Sequence, residues 1–130
     1  MYDESKHTQV QGNAVAVSGT GTLASVRWLR ESSNAVFIKI PAGKRLIITD
    51  VLLNPQGDVT APHTVNLAEK YTDGTHRIFF QFRVPPGATQ QVHFSTGHVI
   101  EAGKEVITFT GGNTPAGQHF TVDLNAYLAI

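Results

Sequence analysis

Histidine is the residue type here with the widest chemical reach, and the chain has six. A neutral imidazole ligates metals and titrates near neutrality. His93 and His98 stand close together, Glu101 follows, and His119 comes from a later segment. A site of several histidines and a carboxylate would draw on these. However, Val92-His93-Phe94-Ser95 has no second histidine at i+2, and Gly97 marks a turn before His98. This spacing predicts separate rim or surface histidines and no bound metal. Asp58 and Asp73 stand alone in turn sequences, so no calcium loop is present. Asp50 lies among Leu46, Ile48 and Leu52, where an apolar setting would raise its pKa. An aspartate at the end of a strand more often binds backbone N–H groups. The serines, Ser18 and Ser95 included, lie outside any Gly-x-Ser-x-Gly elbow. Glu101 and Glu105 flank a turn and do not form a facing pair of glycosidase type. Cysteine is absent, which removes disulfides, thiolate metal sites and cysteine nucleophiles together. The residue types therefore predict no cofactor, no metal and no enzyme.

Binding chemistry has more material. Arg77 and Arg83 share a phase with Phe79, and with Trp28 they make a candidate ligand face. Trp28, Phe79 or Tyr127 could stack on sugar rings. Ten basic and ten acidic residues cancel, leaving no surplus to neutralise phosphates. Nucleic acid is therefore not expected as a partner. Gly111-Gly112-Asn113 and Gly19-Thr20-Gly21 lack the Gly-Lys-Thr and helix of a phosphate loop. No apolar run approaches the ~20 residues that span a bilayer as a helix. No amphipathic helix offers membrane binding either.

The elements that must carry these residues are strands. Phe120, Val122, Leu124, Ala126, Leu128 and Ile130 alternate with Thr121, Asp123, Asn125 and Tyr127. That period of two marks a half-buried strand. His76–Val84 repeats it, with Ile78, Phe80, Phe82 and Val84 on one side. Shorter alternations run through Val36–Ile40, Gln91–Phe94 and Val106–Phe109. Asp73-Gly74 between two alternating runs predicts a hairpin, of type I′ if both central residues take positive φ. Ile40-Pro41-Ala42-Gly43-Lys44, Val84-Pro85-Pro86-Gly87-Ala88 and Ile100-Glu101-Ala102-Gly103-Lys104 predict further turns. The predicted core is Ile38, Leu46, Ile48, Ile78, Phe80, Phe82, Phe94, Phe109, Val122 and Leu124.

About eight to ten short strands with regular turns predict an all-β, antiparallel β-sandwich of jelly-roll type. One domain over residues 1–130 is expected, with 1–22 an N-terminal arm or a first strand. The strand count and turn pattern resemble jelly-roll modules in general: tumour-necrosis-factor and C1q-like trimers, virion surface proteins and β-sandwich lectins. That resemblance covers most of the chain, carries no motif and implies no site residues. Strict alternation through Arg45–Asn54 puts Leu46, Ile48 and Leu52 on one face and Ile47, Val51 and Leu53 on the other. A strand apolar on both faces is usually covered on both. Phe37, Ile47, Val51, Leu53, Phe79 and Tyr127 thus form a candidate subunit interface. The function expected is a structural, self-assembling module, a homo-oligomer such as a trimer, or part of a larger assembly. A virion or extracellular setting is favoured over the cytoplasm. A glycan-binding module is the alternative, and a cupin-like metalloenzyme using His93, His98 and His119 comes third.

Overall fold

A computed structural model describes residues 7–17, 24–30, 36–55, 62–110 and 119–129. Among the described residues ten strands run in chain order: β1 His7–Val17, β2 Ala24–Ser25, β3 Arg27–Arg30, β4 Val36–Phe37, β5 Arg45–Pro55, β6 His63–Lys70, β7 His76–Val84, β8 Gln90–Ile100, β9 Glu105–Thr110 and β10 His119–Ala129. One sheet has the order β4-β3-β1-β10-β5-β8, and the other β2-β9-β6-β7. Every strand pairing is antiparallel. The protein is an antiparallel sandwich of jelly-roll type, with β3 and β4 extending the larger sheet beyond β1.

The strands form where β-branched and aromatic residues alternate with polar ones, and the turns where glycine permits reversal. Tyr71 N–H donates to the Thr75 carbonyl at 2.8 Å, and Gly74 N–H to the Tyr71 carbonyl at 3.0 Å. Gly74 has a φ of 90°. The β6–β7 loop is therefore a tight turn ending in a left-handed glycine, rather than the expected two-residue type I′ turn. The Asp73 carboxylate accepts from Thr75 N–H at 2.9 Å and from its hydroxyl at 2.6 Å. These bonds hold the Asp73 carboxyl below the ordinary carboxylate range.

The core joins both sheets through Val10, Leu46, Ile48, Val51, Leu53, Val65, Leu67, Phe82, Val84, Ile100, Val106, Phe120, Val122 and Leu124, all buried. Phe79, Phe80, Val92 and Phe94 pack against it from the side where β7 and β8 form the sheet edges.

Two bulges correct the expected phases. In β5, Ile48 pairs with Ala126 and Asp50 with Asn125, which leaves Thr49 as the extra residue. One inserted residue flips every later side chain to the opposite face. Leu46 and Ile48 face inward before the bulge, and Val51 and Leu53 face inward after it, all fully buried. Val51 and Leu53 are therefore core and leave the candidate interface. Asp50 points outward, away from Leu46 and Ile48. In β7, Leu67 pairs with Phe80 and Ala68 with Ile78, so Phe79 is the extra residue. Phe79 turns inward against the core instead of outward. The same bulge puts Arg77 and Arg83 out of phase, so they share no ligand face. It also leaves Ile78 41% exposed, and Ile38, before buried Ile40, is 38% exposed. In β9, Thr108 and Thr110 pair with core residues Leu67 and Val65, so Phe109 lies on the outer side. The side chains of Trp28, Phe37 and His119 lie outside the described residues. In backbone register, Trp28 pairs with Phe37.

Candidate interaction faces

Antiparallel register turns the outer face of the larger sheet into a grid. Gln11 of β1 pairs with Asn125 of β10, Asn125 with Asp50 of β5, and Asp50 with His93 of β8. The adjoining row is Asn13, Asp123, Leu52 and Gln91. On the other side of the first row lie Tyr127, Ile47 and Val99, again in direct register. Val99 is 40% exposed, and Ile47 and Tyr127 are half-buried. An apolar row thus borders a polar platform. Of the expected interface residues, Ile47 and Tyr127 meet here, joined by Val99, which alternation alone did not mark. Its partners across the sheet were the missing signal.

Gly97 shapes the apolar row. Between the β8 residues paired with Ile48 and Asp50, namely His98 and His93, the chain inserts Phe94–Gly97. Gly97 has a φ of +79°, and a Cβ there would lie 2.3 Å from Ile47 Cγ2. The glycine lets the β8 backbone lie directly on the Ile47 side chain.

The polar rows hold one strong internal bond. His93 Nδ1 lies 2.8 Å from Asp50 Oδ1. This hydrogen bond, with help from Thr49, holds the Asp50 carboxyl below the ordinary range, against the rise expected from an apolar setting. An ionised Asp50 makes Nδ1 the donor, so a neutral His93 keeps Nε2 as an acceptor. Two shallow hollows flank β10. One, of about 240 Å³, is lined by Gln11, Asn13, Asp123 and Asn125. The other, of about 220 Å³, is lined by Asp50, Leu52, Gln91, Asp123 and Asn125.

His98 belongs to the opposite face of β8. It stacks on Phe79 at 4.2 Å between centroids and also meets Phe94 at 6.1 Å. Its buried Nε2 has no hydrogen-bond partner. Burial, assisted by Arg77 and opposed by Glu69, lowers its pKa. His93 and His98 thus face opposite sides of one sheet and do not converge on one metal. Among the described residues, no three histidines or carboxylates are grouped to hold an ion.

No family model matches the chain, and no curated protein matches it. Solved structures do. The crystal structure of murine APRIL at pH 8.5 superposes with a TM-score of 0.50 and 15% identity, over 96% of this chain and 100% of that one. A chain of the cyanophage Pam1 capsid asymmetric unit gives a TM-score of 0.49 and 16% identity, over 95% of this chain and 85% of that one. At such identities the APRIL likeness speaks for the sandwich fold alone.

Proposed function

We propose that this protein is a non-enzymatic structural module that self-assembles through the outer face of its larger sheet. The observation that carries this reading is the in-register apolar row Tyr127–Ile47–Val99 across β10, β5 and β8. Contiguous apolar surface rimmed by polar residues is how association faces differ from scattered exposed side chains. Among the described residues, the outermost strands of both sheets are short or bulged. β2 and β4 are two residues long, and β7 and β8 are interrupted by the insertions at Phe79 and Phe94–Gly97. Short, bulged edges resist pairing with another chain. Closed cyclic symmetry would bury the row on every copy and stop growth there. Trimeric stoichiometry and a virion or extracellular setting follow from the jelly-roll resemblance. The test is Val99→Lys, a charge placed on an exposed side chain outside the core. The variant is expected to fold like the parent and sediment as a monomer, where the parent sediments as an oligomer. A parent that is already monomeric, or a variant that stays assembled, overturns the reading.

A further inference from the structure

We propose that the Phe94–Gly97 excursion of β8 is an acid-released flap, clipped across the open side of the sandwich by the neutral ring of His98. The first ground is connectivity. β8 ends one sheet and β7 ends the other, so the two strands lie in separate ladders. Within β8, Phe94–Gly97 have no register partners on β5, since the ladder passes from Asp50–His93 to Ile48–His98. A segment at a sheet edge with few ladder bonds is where local opening costs least. Side-chain contacts hold it down instead. His98 stacks on Phe79 with 14° between the ring planes. Phe94 meets Phe80 edge to face at 5.6 Å, and Phe80 meets Phe82 at 4.8 Å. Rings of β7 thus pin both ends of the excursion.

The second ground is the chemistry of the clip. His98 Nε2 is buried and has no hydrogen-bond partner among the described residues. A neutral imidazole can carry its proton on Nδ1 and leave Nε2 bare. An imidazolium carries N–H on both nitrogens, and the one at Nε2 then requires an acceptor or water. Inside the clip it meets neither. The face of Phe79 attracts a cation, but that attraction does not replace the hydration an ion loses on burial. Charged neighbours do not reverse this. Arg77 of β7 repels a second cation, and Glu69 of β6 attracts one. The Glu69 carboxylate already accepts from the Tyr71 hydroxyl at 3.0 Å and faces Lys104 Nζ at 3.8 Å. Ile48, the β5 partner of His98, is not titratable, and His93 faces the other side of β8. Burial is the largest influence on His98, and it favours the neutral ring.

Proton uptake is therefore linked to release. With the flap lifted, the ring is hydrated and titrates at its ordinary 6.5, whereas the clipped ring resists to lower pH. Between those limits each opening binds one proton, so the open population rises by up to about tenfold per pH unit of acidification. Lifting bares Phe79, Phe80 and Phe94, the rings now packed against the core.

The experiment follows amide hydrogen exchange of the full chain by mass spectrometry at about pH 7 and pH 5.5, either side of the ordinary histidine value. Rates are corrected for the intrinsic effect of pH. Peptides covering 94–98 should exchange faster than those of β6 at both values. Their protection should fall severalfold on acidification, up to about tenfold for one proton. His98→Phe keeps a ring in the clip without the titration, and its 94–98 protection should not respond to pH. His98→Gln, neutral and smaller, should also lose the response, whatever its starting protection. His93→Gln removes the other histidine of β8 and should respond like the parent. Equal protection of 94–98 at both pH values, or the same fall in either His98 variant, overturns the proposal. So does exchange of 94–98 no faster than β6, which would mean that only unfolding of the whole sandwich exposes it.

Discussion

Leu52 and Leu53 are sequence neighbours with opposite roles. Leu53 is fully buried, whereas Leu52 is half-buried on the outer face beside Asp123 and Gln91. Leu53→Ala should cost about 2–5 kcal/mol of stability, the usual loss for a buried leucine. Leu52→Ala should cost under about 1 kcal/mol, as for a substitution outside the core. Urea unfolding of the two variants measures both, and the reverse order would mean that β5 carries no bulge. His98 supplies the second prediction at this scale. Its pKa is lowered in the folded state from the ordinary 6.5. Above that value neither state holds the proton, and stability is complete. As pH falls below 6.5 the unfolded chain takes up the proton first, so stability declines until the folded form is also protonated. Denaturant unfolding between pH 7.5 and 5 should show this decline, and His98→Phe should make it shallower. An equal slope in both proteins would remove His98 from the pH response. This histidine's setting was not legible in the linear chain, because its ring partner Phe79 lies at a bulge of β7.

At the scale of elements, alternation identified most of the strands, and their turns were marked by Gly43, Gly74, Gly87 and Gly103. Phase was legible only until the first bulge. Leu46, Ile48, Phe82, Val122 and Leu124 follow simple alternation and are buried as expected. Val51, Leu53 and Phe79 lie at or beyond an inserted residue and reverse. Nothing in the run Arg45–Asn54 marks Thr49 as the extra residue, because the insertion is defined by the pairing with β10. The misread β9 has a different cause. Thr108 and Thr110 face inward with buried hydroxyls that have no hydrogen-bond partner, while Ile107 is buried as well. A strand covered on both sides loses the contrast on which alternation depends. Gly97 tests the architecture of β8. Gly97→Ala should cost more than about 1 kcal/mol, because a Cβ residue is disfavoured at positive φ. Contact with Ile47 adds to that loss. Adding Ile47→Ala should recover the contact portion and leave the backbone portion. A neutral Gly97→Ala in thermal unfolding would mean that β8 does not lie on Ile47.

For the whole molecule, the sandwich class was legible because it depends on many strands and turns at once, and single phase errors do not disturb it. The proposed association face was legible only in part. Ile47 and Tyr127 lie on it, but the apolar second face of β5 that pointed to them disappears with the Thr49 bulge. What replaces it is register: three apolar side chains from three strands meet in one row, beside polar rows that a linear reading scatters along the chain. Phe37 and Trp28 share a rung in the β3–β4 pair at the far edge of the same sheet. Balanced charge sets no long-range repulsion against association, and a stable interface should bury at least about 1,000 Å². The most direct measurement is the mass of the unmodified protein by light scattering at micromolar concentration. Self-assembly through the outer face predicts a closed particle of defined size, three times the chain mass of 14.1 kDa for a trimer. A particle of 14.1 kDa at that concentration would contradict it.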